Sequence, residues 1–192
     1  MTVKLDAVEA LYRGWAKLDR YSLRYRRRDG REDRLIREVH DHGDGAAVLP
    51  YDATRGTVLL VRQFRLPAYL AGGDGFLIEA CAGLLEGDDP ETCARREAEE
   101  EMGVRISRLR PQGTVFMSPG AVTEQLTLFL ADYDHAARTG KGGGHAHEGE
   151  DIEVLELPFT EMLQMTNDGR IRDAKTVLLG LRLEAERIAA AR

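Results

Sequence analysis

The sequence predicts a mixed α/β sheet domain preceded by a β-ribbon, and three observations carry that expectation. Short apolar runs rich in β-branched residues recur from residue 46 to residue 157, at lengths suited to core strands. Helical stretches fall between and after these runs, the interleaving expected of an α/β layer architecture. Ahead of them lies a charged, thinly hydrophobic stretch with a hairpin-type turn dipeptide, Asp29-Gly30.

Taken in order, residues 8–42 read as extended segments broken at Asp19-Arg20 and at Asp29-Gly30, the latter between 22–25 and 34–39. Ribbons of this kind bury little by themselves, so residues 1–44 are expected to form a dimerisation arm that exchanges between two protomers. The main domain, 45–192, opens with core strands at 46–51 and 57–64, joined by a turn from Asp52 to Gly56. Further extended runs are expected at 76–83, 125–131 and 152–157. Helices are expected over 90–102, 159–166 and 174 to about 189. The helix at 90–102 is specified at both ends: Asp89 is a capping residue, Pro90 suits the first helical position, and Gly103 suits the left-handed residue beyond the last turn.

Composition limits the function classes. The 192 residues suit one well-buried domain with at most an added arm. Lys+Arg 27 against Asp+Glu 33 gives a net charge of −6, which disfavours a nucleic-acid partner. No apolar run approaches the roughly 20 residues that cross a bilayer, and no signal-type leader is evident, so the expectation is a cytoplasmic protein without membrane attachment. Cys81 and Cys93 lack metal-type spacing and read as buried reduced thiols.

The chemistry concentrates in residues 83–104. Ala94 and Ala98, four apart, let the helix lie close to a sheet, which stacks Glu97 and Glu101 on an adjoining face with Glu100 beside them. Arg96 can pair with Glu100, and Arg95 with Glu99, as on any solvated helix face. Glu97 and Glu101 lack such a partner three or four residues on, apart from Arg105. A carboxylate pair of this kind suits Mg²⁺, which takes oxygen ligands from one or two acids and from substrate phosphates. A second segment, 135–151, is glycine-rich and carries His145, His147, Glu148, Glu150 and Asp151. It reads as a surface linker, or as a mobile lid bringing a carboxylate to a site. His145 and His147 could suggest a transition-metal site, although paired loop histidines are more often plain surface residues.

The stretch Arg96-Glu-Ala-Glu-Glu-Glu-Met-Gly-Val104 resembles the second half of a Nudix box, Arg-Glu-apolar-x-Glu-Glu-x-Gly-apolar, without a gap. The first half is shortened: four residues separate Gly83 from Asp88, and Asp88 replaces the usual Glu. A shortened box within Glu-Ala-Cys-Ala-Gly-Leu-Leu is similar to that of the GDP-mannose hydrolase branch of the ADP-ribose pyrophosphatase-like Nudix enzymes. Further stretches resemble the same branch, among them Val61-Arg-Gln-Phe-Arg65, Met117-Ser-Pro-Gly120 and Ile171-Arg-Asp-Ala-Lys-Thr-Val177. Pro119, sixteen residues past Gly103, is also a feature of ADP-ribose hydrolases.

The resemblance implies a Nudix α/β/α sandwich with a mixed sheet. It implies metal ligands at the Ala82 carbonyl and at Glu97, Glu101 and Glu150, for Mg²⁺ or Mn²⁺. Arg65 and Lys175 would meet phosphates. Tyr21, Arg37 and Glu38 would hold nucleotide or sugar, partly across a homodimer interface, with Glu124 near the substrate. The implied reaction is hydrolysis of GDP-mannose to GMP and mannose 1-phosphate, with Glu150 as base or added metal ligand. ADP-ribose hydrolysis, or non-catalytic binding of a nucleotide sugar, are the alternatives.

Overall fold

The computed structural model describes residues 1–145 and 149–190, and the chain divides into two compact units. The first comprises Met1–Asp44 with Phe116–Gln125. The second comprises Gly45–Val115 and the described residues from Leu126 on.

In the first unit, strands β1 (Thr2–Arg13), β2 (Lys17–Arg26) and β3 (Glu32–Asp41) form an antiparallel sheet in that order. The expected turn at Asp29-Gly30 is present: Gly30 has φ 88° and its N–H donates to Arg27 O at 3.2 Å. The expected break at Asp19-Arg20 is absent, since both residues lie within β2. Their charges are accommodated at the strand surface, where Asp19 pairs with Arg13 and Arg20 with Glu9 and Glu38, and the chain turns earlier, between Arg13 and Lys17. Val3, Leu5, Val8 and Tyr12 of β1 are each more than half exposed.

The second unit carries a seven-stranded mixed sheet. Strand β4 (Gly45–Asp52) is buried along its whole length and β5 (Thr57–Phe64) along most of it, as their β-branched runs require. A short helix α1 (Leu66–Leu70) follows, which the sequence reading did not anticipate. The run expected as one strand over 76–83 is two: β6 (Phe76–Glu79) pairs with β5, and β7 (Cys81–Leu84) pairs with β4. The cause is topological. Strands β4 and β5 pair only beside their turn, at Tyr51–Val58 and Asp52–Thr57, while β9 and β10 take their other edges. The chain therefore steps across from β5 to β4 at Ala80.

Helix α2 (Pro90–Met102) follows, then β8 (Ser107–Phe116), also unanticipated, β9 (Gln125–Asp132), one 3-10 turn (His135–Ala137) and β10 (Glu153–Pro158). Helices α3 (Phe159–Asn167) and α4 (Ala174–Ala190) complete the chain. The path across the sheet is β10-β5-β4-β9-β8, with β4 and β9 parallel. One face carries Ala46, Val48, Leu59 and Val61 against Cys93, Ala94, Ala98 and Met102 of α2. Strand alternation sends Leu49 and Leu60 to the other face, where α4 lies on β4 and α3 on β5. This is the expected α/β/α arrangement. No helix among the described residues is long and apolar enough to cross a membrane.

Helix α2 is secured as its sequence requires. Asp89 Oδ1 accepts from Glu91 N and Thr92 N, both at 3.0 Å. At the other end Gly103 adopts φ 65°. The glycine-rich segment, read from the sequence as a surface linker or a lid, meets the helix here: Thr139 N donates to Gly103 O at 2.8 Å, Gly143 N to Glu101 O at 2.9 Å and Gly144 N to Glu100 O at 3.2 Å. These bonds satisfy terminal helix carbonyls that lack intrahelical donors. A Cβ on Gly103 would approach Gly140 O to 2.5 Å and Gly142 N to 2.6 Å. Gly103→Ala is accordingly expected to destabilise the protein by about 2 kcal/mol or more, combining left-handed strain with a backbone clash. Urea denaturation measures this, and an unchanged midpoint would contradict the docking.

Candidate active site

The step from β6 to β7 sets two charged groups side by side. The acidic group comes from α2. Its register turns Glu101 inward beside Ala98 and Met102, leaving the residue 2% exposed. Its Oε2 is buried and has no hydrogen-bond partner among the described residues. Burial pushes the Glu101 carboxyl up to about 8, helped by the negative charges of Glu97 and Glu150 and opposed by the Cys81 thiol and the charge of Arg65. Glu97, one turn earlier, is also shifted upward, by burial first and then by Glu100 and Glu150, against the attraction of Arg96. Gly83 of β7 makes room for it, because a Cβ there would fall 1.9 Å from Glu97 Oε1. The missing side chain lets the helix carboxylate lie directly on this strand in its present rotamer.

Arg96 is the organising cation of that face. It reaches Glu97 at 2.8 Å, Glu100 at 3.3 Å and Asp88 at 3.4 Å, and Nη2 donates to Leu84 O at 3.2 Å. The expected pairing of Arg96 with Glu100 is present. Arg95 instead pairs with Glu91 at 2.7 Å and donates to Ile106 O, while Glu99 is met by Arg105 at 3.3 Å. Asp88 is occupied by Arg96 at the outer end of the box. Glu150 Oε2 accepts from His145 N at 2.9 Å, and a Cβ on Gly144 would fall 2.3 Å from that oxygen, so a glycine again permits the approach. His145 Nε2 lies 3.4 Å from Glu100 Oε1. His147 and Glu148 lie outside the described residues.

The basic group was only half legible. Arg65, just past β5, donates from Nε and Nη2 to the two oxygens of Glu79 at 2.8 and 3.1 Å. Lys175, in the first turn of α4, donates to Glu79 Oε2 at 2.6 Å and to Asp173 Oδ1 at 3.0 Å. Lys175 is buried, whereas a first-turn lysine is ordinarily a surface charge. Burial works to raise the Glu79 carboxyl, but the Arg65 hydrogen bond and the charge of Lys175 outweigh it and hold it below its ordinary value. Burial likewise works to lower Lys175, and the charges of Glu79 and Asp173 outweigh it. Glu79 and Asp173 were missed by sequence reasoning. The available signal was one carboxylate inside the otherwise apolar run Phe76-Leu-Ile-Glu-Ala-Cys-Ala.

Of the remaining expected residues, Tyr21, Arg37, Glu38 and Glu124 belong to the first unit and Ala82 to the second. Tyr21 and Arg37 are register partners on β2 and β3, and Glu38, opposite Arg20, accepts from its Nη2 at 3.0 Å. Glu124 lies 4.0 Å from His42 Nε2, and His42 stacks on Trp15. Ala82 lies on β7 beside Ala47 of β4.

An unpartnered buried carboxylate oxygen, a second carboxylate shifted upward beside it and the charge of a third fit the donor chemistry of a hard divalent cation. Among the described residues no three His, Cys, Asp or Glu side chains form a ready-made metal cluster. The helix acids are thus a pair rather than a closed cage, in keeping with an ion that takes other oxygens from water or phosphate. Without a cation the pair is a liability, and its sign is definite. The unfolded Glu101 ionises near 4.5 and the folded one near 8, so stability is highest below the first value and falls as pH rises between them. In chelator, Glu101→Gln is expected to flatten that fall by up to about 1.4 kcal/mol per pH unit. Denaturation midpoints between pH 5 and 8, about the window of the shift, measure it, and parallel curves for the two proteins would contradict the burial account.

Comparison with known proteins agrees with this geometry. A NUDIX domain profile matches residues 41–178, and a profile described as the GDP-mannose pyrophosphatase NudK N-terminal domain matches residues 2–40. A GDP-mannose pyrophosphatase of Pectobacterium atrosepticum is 49% identical over 93% of each chain. One from Cronobacter sakazakii is 53% identical over 80% of each, and one from Klebsiella pneumoniae is 49% identical over 88% of this chain and 85% of its own. The box around α2, the sheet that supports it and these matches together establish that the chain belongs to the Nudix family of hydrolases.

Proposed function

We propose that this chain hydrolyses the diphosphate of GDP-mannose, giving GMP and mannose 1-phosphate. The observation that carries the reading is the pair of Glu97 and buried Glu101, the latter with an oxygen that has no partner among the described residues, set beside the cations Arg65 and Lys175. The names of the relatives supply the substrate, and the match of the N-terminal stretch to the NudK profile favours GDP-mannose over ADP-ribose.

Nudix hydrolases generally need a divalent metal. Here Glu97, Glu101, the Ala82 carbonyl and Glu150 would hold it, as Mg²⁺ with Mn²⁺ as a substitute. Such an ion, when bound, neutralises diphosphate charge, polarises phosphorus and lowers the pKa of water. The chain's own groups do the rest. Arg65 and Lys175 bind the phosphate oxygens and orient the diphosphate. Glu150, on the glycine-rich segment, accepts a proton from the attacking water as the phosphorus–oxygen bond to the leaving group breaks. Tyr21, Arg37, Glu38 and Glu124 hold nucleotide or sugar.

The same reading includes a homodimer in which residues 1–44 act as an exchanged arm and residues 45–192 as the hydrolase domain. The exposed apolar side chains of β1, Val3, Leu5, Val8 and Tyr12, support a partner chain there. A cytoplasmic setting fits the two free, buried cysteines, Cys81 and Cys93.

The test is product analysis with GDP-mannose, ADP-ribose, GDP-glucose and ADP-glucose in the presence of Mg²⁺. GDP-mannose is expected to be cleaved fastest, and Glu101→Gln to lower its turnover by about 10³-fold. Parent-like turnover in that variant would remove the metal assignment, and preference for ADP-ribose would remove the substrate. For Glu150→Ala a fall of about 10²-fold or more is expected, and normal turnover would exclude Glu150 as base.

A further inference from the structure

We propose that Glu79 is a positioning residue that fixes Arg65 and Lys175 as one two-pronged receptor for the substrate diphosphate. The inference rests on the phosphate-binding role given to those two cations above. Glu79 ends β6 at the step between strands, and its side chain is 2% exposed. Arg65 follows β5 and Lys175 opens α4, so the two cations come from separate elements. Glu79 engages both.

The donor geometry shows what is left over. Arg65 gives Glu79 its Nε and Nη2, a two-bond grip that fixes the guanidinium plane. Its side chain is nevertheless 41% exposed, so the guanidinium is anchored along its Nε–Nη2 edge, and Nη1 meets no acceptor among the described residues, which leaves it for an anion. Lys175 Nζ carries three protons, and Glu79 and Asp173 accept two of them. The support continues behind the clamp: Ala80 N donates to Thr176 Oγ1 at 2.6 Å, and Thr176 in turn donates to Asp173. Ala80, next to Glu79, is thereby tied through Thr176 to Asp173, the other acid that Lys175 meets.

The charge balance gives the inference a definite sign. Two cations face two carboxylates, Glu79 and Asp173, so Glu79 reduces the positive charge available to an anion. If charge alone mattered, Glu79→Gln would strengthen diphosphate binding. If orientation matters, the same change weakens it, because an amide cannot accept from Arg65 and Lys175 through both of its heavy atoms.

The experiment measures GDP affinity by calorimetry with Mg²⁺, together with kcat and KM on GDP-mannose. It compares the parent, Glu79→Gln, Lys175→Met and the Glu79→Gln/Lys175→Met pair. Glu79→Gln is expected to weaken GDP binding about tenfold and lower kcat about thirtyfold. In the Lys175→Met background the same change is expected to cost about threefold in kcat, since one of the two prongs is already gone. Equal or tighter GDP binding with normal kcat in Glu79→Gln would overturn the inference, as would an undiminished effect in the Lys175→Met background. Should Glu79→Gln fail to fold, the double variant, which leaves no buried lysine unpaired, is compared with Lys175→Met alone; no difference between them overturns it. A parent that cleaves no nucleotide sugar defeats the proposed function instead, and GDP affinity then decides the role of Glu79.

Discussion

Holding two like-charged carboxylates, Glu97 and buried Glu101, against a β-strand is the constraint on which the candidate site depends. Glu101 is forced inward because it shares a helix face with Ala98 and Met102, and that face is the one packed on β4, β5 and β7. A folded protein accepts such a cost when a ligand repays it, because free energy lost on burying a charge is regained when an opposite charge arrives. The surrounding structure serves to keep the pair from relaxing. Gly83 removes the side chain that would hold Glu97 off the strand, Asp89 sets where the helix begins, and Gly103 with the docked segment sets where it ends.

The cationic half of the unit answers the acidic half. The positive charge of Arg65 is felt at Glu101, and the charge of Glu101 is felt at Arg65, so the two groups share one electrostatic neighbourhood. In the proposed function one side takes a cation and the other offers donors to an anion. A diphosphate travelling with a divalent ion satisfies both together, which a sugar or a nucleoside alone would not. The crossing of the chain from β5 to β4 makes this adjacency, since Glu79 and Cys81-Ala82-Gly83 stand on either side of a single residue, Ala80.

Much of this was legible in the residues. Helix α2 was readable to its end residues because caps are local: Asp89, Pro90 and Gly103 act on their own backbone. The core strands β4 and β5 were readable from unbroken apolar runs. The division of 76–83 into β6 and β7 was not, because both halves are extended and differ only in which neighbour they pair with. Strand β8 was missed because Arg108, Arg110, Pro111 and Gly113 hide it. Within the site, the Glu97/Glu101 pair stood out through helical spacing. Glu79 did not, because its partners Arg65 and Lys175 are 14 and 96 residues away in sequence. Arg95 illustrates a further limit: it had two acids within helical reach, Glu91 and Glu99, and spacing alone does not choose between them.

The central claim is that Glu97 and Glu101 together hold a divalent ion. Crystals grown with Mn²⁺ and GDP, measured at a wavelength where manganese scatters anomalously, address it without reference to turnover. The account predicts an anomalous peak within coordinating distance of carboxylate oxygens from both residues. A peak found only elsewhere, or Glu101 remaining sealed against Cys81 with no ion beside it, would contradict the account.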